Sequence, residues 1–565
     1  MTRKDVTTVS TAPHTGARIR RRLARAAAAA VAATLVLAGC SIQIRSEPDP
    51  TIPDDTMLLA ADKGTPMMER NFNPYLVNKR VAATYMYEPL MVVNVIDGTF
   101  TPWLAEEVSQ PDPLTIDYTI RDGVTWSDGE EFTPEDVAFT FELIKEYPTL
   151  DLKGAWQRIE SIEVDGDHVI FTLTEPDSPA LDVLSQTMIV PEHIWADVEA
   201  PDTWRNPEPV GTGPYTLGNF SAQQYTMDKN QDYWQAENVN VEHLVLPAST
   251  TELDIVTQGF DWAYAFLSNV EGTWQAANEN NQYWFPPGGV QGLIPNFEVA
   301  PFDDPDVRRG IALALDRQAI ADAATEGTMT PGAQTGLMLP NQEAYLNPDI
   351  PNQGIIEQNT DAALEAFAAA GFTQQGDTMV GPDGQPFTIE ITTANGYADW
   401  LRAAQQIQRQ LGSLGIEVNL VQPQPPGYQQ AIQNGDFQMA IGGMGGGLVY
   451  QTYESLLSSE FYAPVGEQTS NNFQRYQNPE ADALLAEYRA TVDEDEQLEI
   501  IHRLQELVYE DMPVIGLWHG GLWGLYSDAR FTGWPSADDP YAPPQTYDSS
   551  PLLVFTRLEL AGSED

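Results

Sequence analysis

This chain of 565 residues contains a single cysteine, Cys40, so no disulfide framework can hold it together. Whatever it folds into must be stabilised by packing. The length allows more than one domain and a substantial core. Hydrophobic residues at 42% and aromatics at 10% describe a globular chain, not a disordered one.

The position of that cysteine is itself informative. A basic stretch, Arg18-Ile19-Arg20-Arg21-Arg22-Leu23-Ala24-Arg25, is followed by an apolar run and then by Leu37-Ala38-Gly39-Cys40. The run from Ala26 to Ala38 is about 13 residues, short of the ~20 that span a bilayer. Basic patch, short apolar segment and small residues in that order make a secretory signal. Leu37-Ala38-Gly39-Cys40 resembles a bacterial lipobox. That resemblance implies cleavage before Cys40, a diacylglycerol on its thiol, and a protein tethered to the outer face of the cell membrane. Residues 1–39 are then the signal peptide. Residues 40–55, with Pro48, Pro50 and Pro53 among polar residues, read as an extended tether. Arg20-Arg21-Arg22-Leu23 is a loose twin-arginine match, and the export route stays open.

The formal charge is -54. Residues 1–39 carry seven Lys/Arg and one acid, so their removal takes the charge to -60. Such a field repels nucleic acid and anionic lipid, and no nucleic-acid partner is expected. The six histidines (His14, His168, His193, His243, His502, His519) are scattered singly, with no His-Glu-x-x-His and no close metal spacing. Neither a Gly-x-Ser-x-Gly elbow nor a P-loop is present. No metal, cofactor or catalytic residue is expected. Adjacent acids such as Glu130-Glu131 and Asp303-Asp304 read as solvated faces.

Periodicity gives an α/β chain. Thr133-Pro134-Glu135-Asp136 starts a helix, with Thr as N-cap and Pro at the first position. Asp165-Gly166-Asp167 lies between two alternating runs, a hairpin signature. Residues 308–324 read as one amphipathic helix with Arg308, Arg309 and Asp316-Arg317 in exposed i,i+4 pairs. Strands at 387–392, 416–421 and 437–441 alternate with helices at 400–414 and 428–434, which implies a partly parallel sheet. A buried strand is expected at 513–517, followed by an aromatic, turn-rich tail from Trp518.

Several segments, in order, resemble the large solute-binding proteins of ABC importers, the family 5 or dipeptide/oligopeptide-binding type. They are Tyr87-Glu88-Pro89-Leu90; TIRDGVTWSDGEEFTPEDV at 119–137; Val210-Gly211-Thr212-Gly213-Pro214-Tyr215; FDDPDVRRGIALALDRQAI at 302–320; residues 408–418; and ELVYEDMPV at 506–514. The resemblance implies a periplasmic-binding-protein-like α/β fold of cluster C type: two lobes with a hinge plus an inserted extra domain. Lobe I is expected over 56–92, 206–300 and 525–565, the insertion over 93–205 and lobe II over 301–524. It also implies a monomer that traps a small-molecule ligand and docks on the permease subunits of an ABC transporter, without being an enzyme.

Peptide-binding relatives carry a Trp and an Asp just after the strand matching 437–441, and the Asp holds the ligand amine. Here that place reads Gly442-Gly443-Met444-Gly445-Gly446-Gly447, with neither. Expectation therefore moves to a neutral oligosaccharide of β-gluco or manno type, with an oligopeptide and a secreted glycoside-active enzyme as alternatives. Sugars need flat aromatics and amide or acid partners for hydroxyls. Gly259-Phe260-Asp261-Trp262-Ala263 and the tail Phe531-Thr532-Gly533-Trp534-Pro535 resemble the oligosaccharide-binding branch. Candidate stacking residues are Trp262, Tyr397, Trp400, Trp518 and Trp534, with core packing as the alternative for each. Replacing Trp400 or Trp534 by Ala is expected to weaken binding without unfolding the protein. Asn71 and Asn73 lie on Asn71-Phe72-Asn73-Pro74-Tyr75, which matches the family's cleft-floor loop; their alternative is an Asx turn before Pro74. Gln291 and Asn296 fall on the segment matching the hinge-side strand, with backbone capping as alternative. Gly443 and Gly446 would let a bulky ligand approach the backbone, with a simply flexible loop as the alternative.

Overall fold

The computed structural model describes residues 52–62, 67–249 and 251–562. The signal segment, Cys40 and the tether up to residue 51 lie outside the described residues. The described residues all fall in one compact unit, Ser46–Asp565.

Its first lobe is built on a seven-stranded sheet ordered Asn281–Trp284, Gly524–Ser527, Trp262–Tyr264, Thr56–Ala60, His243–Pro247, Gln224–Lys229, Tyr215–Phe220. Thr56–Ala60 runs parallel to both neighbours and is buried along its whole length. An unbroken apolar run is what a strand covered on both faces requires. Around it pack Met57, Leu59, Tyr215, Tyr225, Trp262, Trp534 and Phe555.

The second lobe holds a five-stranded sheet ordered Glu417–Val421, Thr388–Thr392, Met439–Gly445, Pro287–Pro295, Ile515–Gly521. The first three strands are parallel and are joined through helices Ala398–Gly412 and Pro425–Asn434. Helix Ala398–Gly412 buries Ala403, Ala404, Ile407 and Leu411, the stripe a helix of period 3.6 turns to a sheet. Pro287–Pro295 runs antiparallel to both its neighbours.

Two chain crossings join the lobes, between Trp284 and Pro287 and between Gly521 and Gly524. They lie side by side, with the Leu522 amide donating to the Pro286 carbonyl at 2.8 Å. The expected boundaries at 300 and 524 shift accordingly. Residues 287–295 pair inside the second sheet, so the chain has changed lobes before the Pro301-Phe302 motif begins. Strand Ile515–Gly521 likewise runs past the expected end at 517 and takes Trp518 into the second-lobe core.

The inserted part carries an antiparallel sheet ordered Ala105–Asp112, Thr115–Ile120, His168–Leu173, Ile159–Asp165. Asp165 pairs with His168 around Gly166, whose φ of 68° is left-handed and suits glycine. Helix Pro134–Glu146 begins with the capping box Thr133/Asp136 and packs Phe141 on Phe171 at 4.9 Å. Gly211 and Gly213 bring the chain back into the first lobe. A Cβ at Gly211 would stand 1.9 Å from the Met86 carbonyl oxygen, so backbone approach demands glycine there.

Residues 308–324 are two helices, Pro305–Ala314 and Arg317–Thr325, where one was expected. Asp316 breaks the run because its carboxylate accepts from the Ala319 amide at 3.0 Å and caps the second helix. Arg308 and Arg317 are buried, where surface pairs were expected. Arg317 donates to the carbonyls of Gly516 at 2.8 Å, Ala312 at 2.9 Å and Ile356 at 2.8 Å. Arg308 donates to those of Asp511, Phe302 and Asp303, each at 2.9 Å, and covers Phe297.

Candidate functional site

In an open sheet with parallel strands, ligands bind beyond the carboxyl ends of those strands. Here that end of the second sheet is also where both crossings leave it: Pro287 pairs with Gly521, and Val290 with Gly445. The glycine loop is therefore a wall of the interlobe cleft beside the hinge. Most of its glycines serve packing. A Cβ at Gly445 would meet Thr452 Cγ2 at 2.4 Å, and one at Gly446 the Gly288 carbonyl oxygen at 2.9 Å. Gly446 is thus needed by its neighbours, before any ligand. Gly443 differs: it is exposed, and a Cβ there would meet nothing within 4 Å.

One row across the second sheet places Gln291 opposite Gly443 on one side and Trp518 on the other. Gln291 Oε1 and Trp518 Nε1 are buried without hydrogen-bond partners. Next to the loop, Tyr397, Trp400 and Tyr428 stand ring to ring at 5.1 and 5.5 Å, and the Tyr428 hydroxyl donates to the Ile441 carbonyl. Tyr397 is 45% exposed and opens the helix that follows strand Thr388–Thr392. The structure thus brings Gln291, Tyr397, Trp400 and Gly443 to one end of the cleft.

The other sequence candidates go elsewhere. Trp262 is 1% exposed, donates to the Pro544 carbonyl at 2.9 Å and packs against Trp534 at 5.6 Å. Trp534 donates to the Phe531 carbonyl and stacks on Tyr526. Both belong to the first-lobe core, as Trp518 belongs to that of the second. Asn73 donates to the carbonyls of Pro201 and Trp204 while its oxygen accepts from the Tyr75 amide. Asn71 donates to Asn78 Oδ1 and accepts from the Asn73 amide. Asn296 donates to the carbonyls of Gly435 and Phe437. All three are fully buried and hydrogen-bonded within the protein, leaving no surface for a ligand.

Away from the hinge end, two cavities share Asp151, Leu152, Lys153 and Gln186 in their linings. The smaller, about 240 Å³, is walled by Tyr75, Lys79, Met188 and Asp548. The larger, about 810 Å³, lies between the inserted part and the second lobe. Sequence reasoning passed over these charged walls. Only one signal could have pointed there: the chain has six lysines, and Lys79 and Lys153 are two of them. Burial pulls the pKa of both lysines down, while the facing Asp548 carboxylate pulls it back up. Lys153 is surrounded by protein yet keeps its own surface open to the cavities.

Contacts cross the cleft on both flanks. The Ser178 amide donates to the Arg489 carbonyl at 3.0 Å, and Gln497 Nε2 donates to Ser178 Oγ at 3.0 Å. The Asn269 amide donates to Glu326 Oε2 at 2.6 Å. The second lobe is therefore hydrogen-bonded directly to both the inserted part and the first lobe. Among the described residues, no group of three or more His, Cys, Asp or Glu is placed to hold a metal ion.

Two α/β lobes joined by paired crossings with a polar cleft beside them define a hinged ligand-binding protein. Residues 99–466 match the model of the bacterial extracellular solute-binding proteins, family 5 (middle), and the chain belongs to that family. Its members are the substrate-binding proteins of ABC importers, binding proteins by class. The oligopeptide-binding protein AppA of Bacillus subtilis is 25% identical over 437 residues, covering 74% of this chain and 77% of that protein. Among solved structures, a periplasmic oligopeptide-binding protein of an oligopeptide ABC transporter from Thermotoga maritima superposes with a TM-score of 0.82. It is 25% identical, and the match covers 90% of this chain and 99% of that one. The same Thermotoga maritima protein with mannohexaose bound gives 0.75 at the same identity and coverage.

Proposed function

We propose that this protein is the lipid-anchored substrate-binding component of an ABC importer. It captures an oligosaccharide of β-gluco or manno type between its lobes and presents it to the permease. The observation that carries the sugar reading is the hinge end of the cleft. There Gly443 leaves open space and Gln291 Oε1 lacks a partner, beside the Tyr397–Trp400–Tyr428 group, with no carboxylate where peptide binders anchor an amine. Aromatic faces with a neutral amide suit pyranose rings and hydroxyls. The mannohexaose-bound neighbour supports the same class. Binding is hinge closure without covalent chemistry, and the protein works as a monomer.

Thermal-shift titration of the purified protein tests this. Mannohexaose or cellohexaose should raise the melting temperature and be recovered uncleaved, while uncharged oligopeptides leave it unchanged. A rise with peptides alone overturns the sugar reading. An oligopeptide cargo remains the second reading, favoured by the Lys79–Asp548–Lys153 charges on the cleft wall and by likeness to AppA. Anchoring is tested separately: Cys40→Ser should move the protein from the membrane fraction to the soluble one. Among the described residues no helix is long and apolar enough to cross a membrane.

A further inference from the structure

An asparagine followed by a glycine is open to attack by the next backbone amide on its own side chain, because glycine sets no Cβ beside the reacting nitrogen. The chain has two such pairs, Asn395-Gly396 and Asn434-Gly435. The fold treats them oppositely. Asn434-Gly435 ends helix Pro425–Asn434, with Gly435 in the left-handed cap position at a φ of 75°. The Gly435 amide donates to the Ile432 carbonyl at 3.2 Å, and Asn434 Nδ2 donates to Asp436 Oδ2 at 3.4 Å. The nucleophile of that pair is spent in a hydrogen bond, and Gly435 is buried. Asn395-Gly396 stands instead at the corner between strand Thr388–Thr392 and helix Ala398–Gly412. The stem of the corner is fixed: the Thr393 amide donates to the Val421 carbonyl at 2.9 Å and the Asn395 amide to the Pro423 carbonyl at 2.8 Å. Asn395 and Gly396 themselves are exposed. Among the described residues neither the Asn395 carboxamide nor the Gly396 amide makes a hydrogen bond. A Cβ at Gly396 would meet nothing within 4 Å.

We infer that Asn395 is a self-modifying site at the hinge end of the cleft, converted with time to an aspartyl or isoaspartyl link. The Gly396 nitrogen gives its proton to a solvent base and bonds to Asn395 Cγ. The Cγ–Nδ2 bond breaks, and ammonia leaves with a proton from water. Water then opens the cyclic imide at either of its carbonyls. The net change is water taken up and ammonia lost, with no oxidant, enzyme or cofactor. Either product places a carboxylate shortly before Tyr397, and the isoaspartyl one also lengthens the main chain by a methylene. The Tyr397 amide donates to the Ala394 carbonyl at 3.3 Å across this same corner, and the Tyr397 ring stands 5.1 Å from that of Trp400. A longer chain between Ala394 and Tyr397 disturbs that turn and the seat of the ring on Trp400. The grip on cargo then declines with the age of the molecule. The chemistry at Asn395 is independent of the cargo, whereas its effect on binding rests on the sugar reading.

Ageing the purified protein at mildly alkaline pH, with peptide mapping by mass spectrometry at both pairs, tests this. In the folded protein the amide-to-acid mass gain should build up at Asn395 at least about tenfold faster than at Asn434, since a site held in native hydrogen bonds reacts only when it opens. In denaturant the two rates should converge. Equal rates in the folded protein, a faster gain at Asn434, or no gain at Asn395 overturns the inference. Isothermal titration of fresh and aged protein with mannohexaose reads the consequence. Aged protein should bind more weakly. Asn395→Gln, whose longer side chain closes the ring far more slowly, should keep its affinity through the same treatment. Modification without loss of affinity, or an equal loss in Asn395→Gln, overturns the link to binding. Fresh protein that does not bind mannohexaose overturns the sugar reading, and the mass comparison still decides the modification.

Discussion

Glu88, in the Tyr87-Glu88-Pro89-Leu90 motif, is 0% exposed. Its Oε1 accepts from Trp103 Nε1 at 2.5 Å, the Tyr233 hydroxyl at 2.9 Å and Trp234 Nε1 at 3.4 Å, while Oε2 has no partner. Burial raises its pKa, against the pull of those donors. Between the unfolded value of about 4.3 and the higher folded one, folding takes up a proton at Glu88, and its contribution to stability falls as pH rises through that interval. Glu88→Gln holds no such proton. Its melting temperature should gain on the parent's as pH rises from about 4.3 upward, and a difference constant through that rise overturns the raised pKa. The tryptophans teach a related lesson. Trp534→Ala should cost about 3–5 kcal/mol of stability, as a large core deletion does, and calorimetric melting measures it. Trp400→Ala should cost less stability and weaken sugar binding. In the sequence the two residues look alike, because an indole carries no mark of whether its N–H will meet a backbone carbonyl or a ligand.

Among the elements, those with local patterns were legible. The strand and helix alternation from 387 to 445 follows from apolar spacing, and the capping box at Thr133 from four consecutive residues. Strand Pro287–Pro295 was assigned to the wrong lobe, since its partners, Gly443 and Trp518, are distant in sequence and its own residues do not name them. The break at Asp316 was hidden by an unbroken amphipathic stripe. The Asp316 cap sets it, and the Ala312, Ile356 and Gly516 carbonyls hold the buried Arg317 that follows. Asp316→Ala removes the cap and should lower stability by about 1 kcal/mol, read by denaturant titration. A change below a few tenths would show that the Arg317 contacts alone set the break. Much of the cleft was invisible for the same reason as the strand: Lys153, Asp182 and Glu454 are distant in sequence and line one cavity only in the fold.

At the scale of the whole molecule, -54 charges on one chain repel one another. Salt screens that repulsion. The melting temperature should rise from ~10 mM to ~0.5 M NaCl, over which the Debye length shrinks from about 30 Å to a few ångström. A flat or falling dependence would mean that ion pairs outweigh net repulsion. The two-lobed architecture and the family were legible from ordered motifs spread along the chain. The hinge was misplaced because a crossing is defined by which sheets its flanks join. Those crossings carry one more consequence. Strapped together at Pro286 and Leu522, they allow the lobes to swing but not to slide. A bend at that strap changes how wide the gap between the lobes stands while leaving the same walls facing one another.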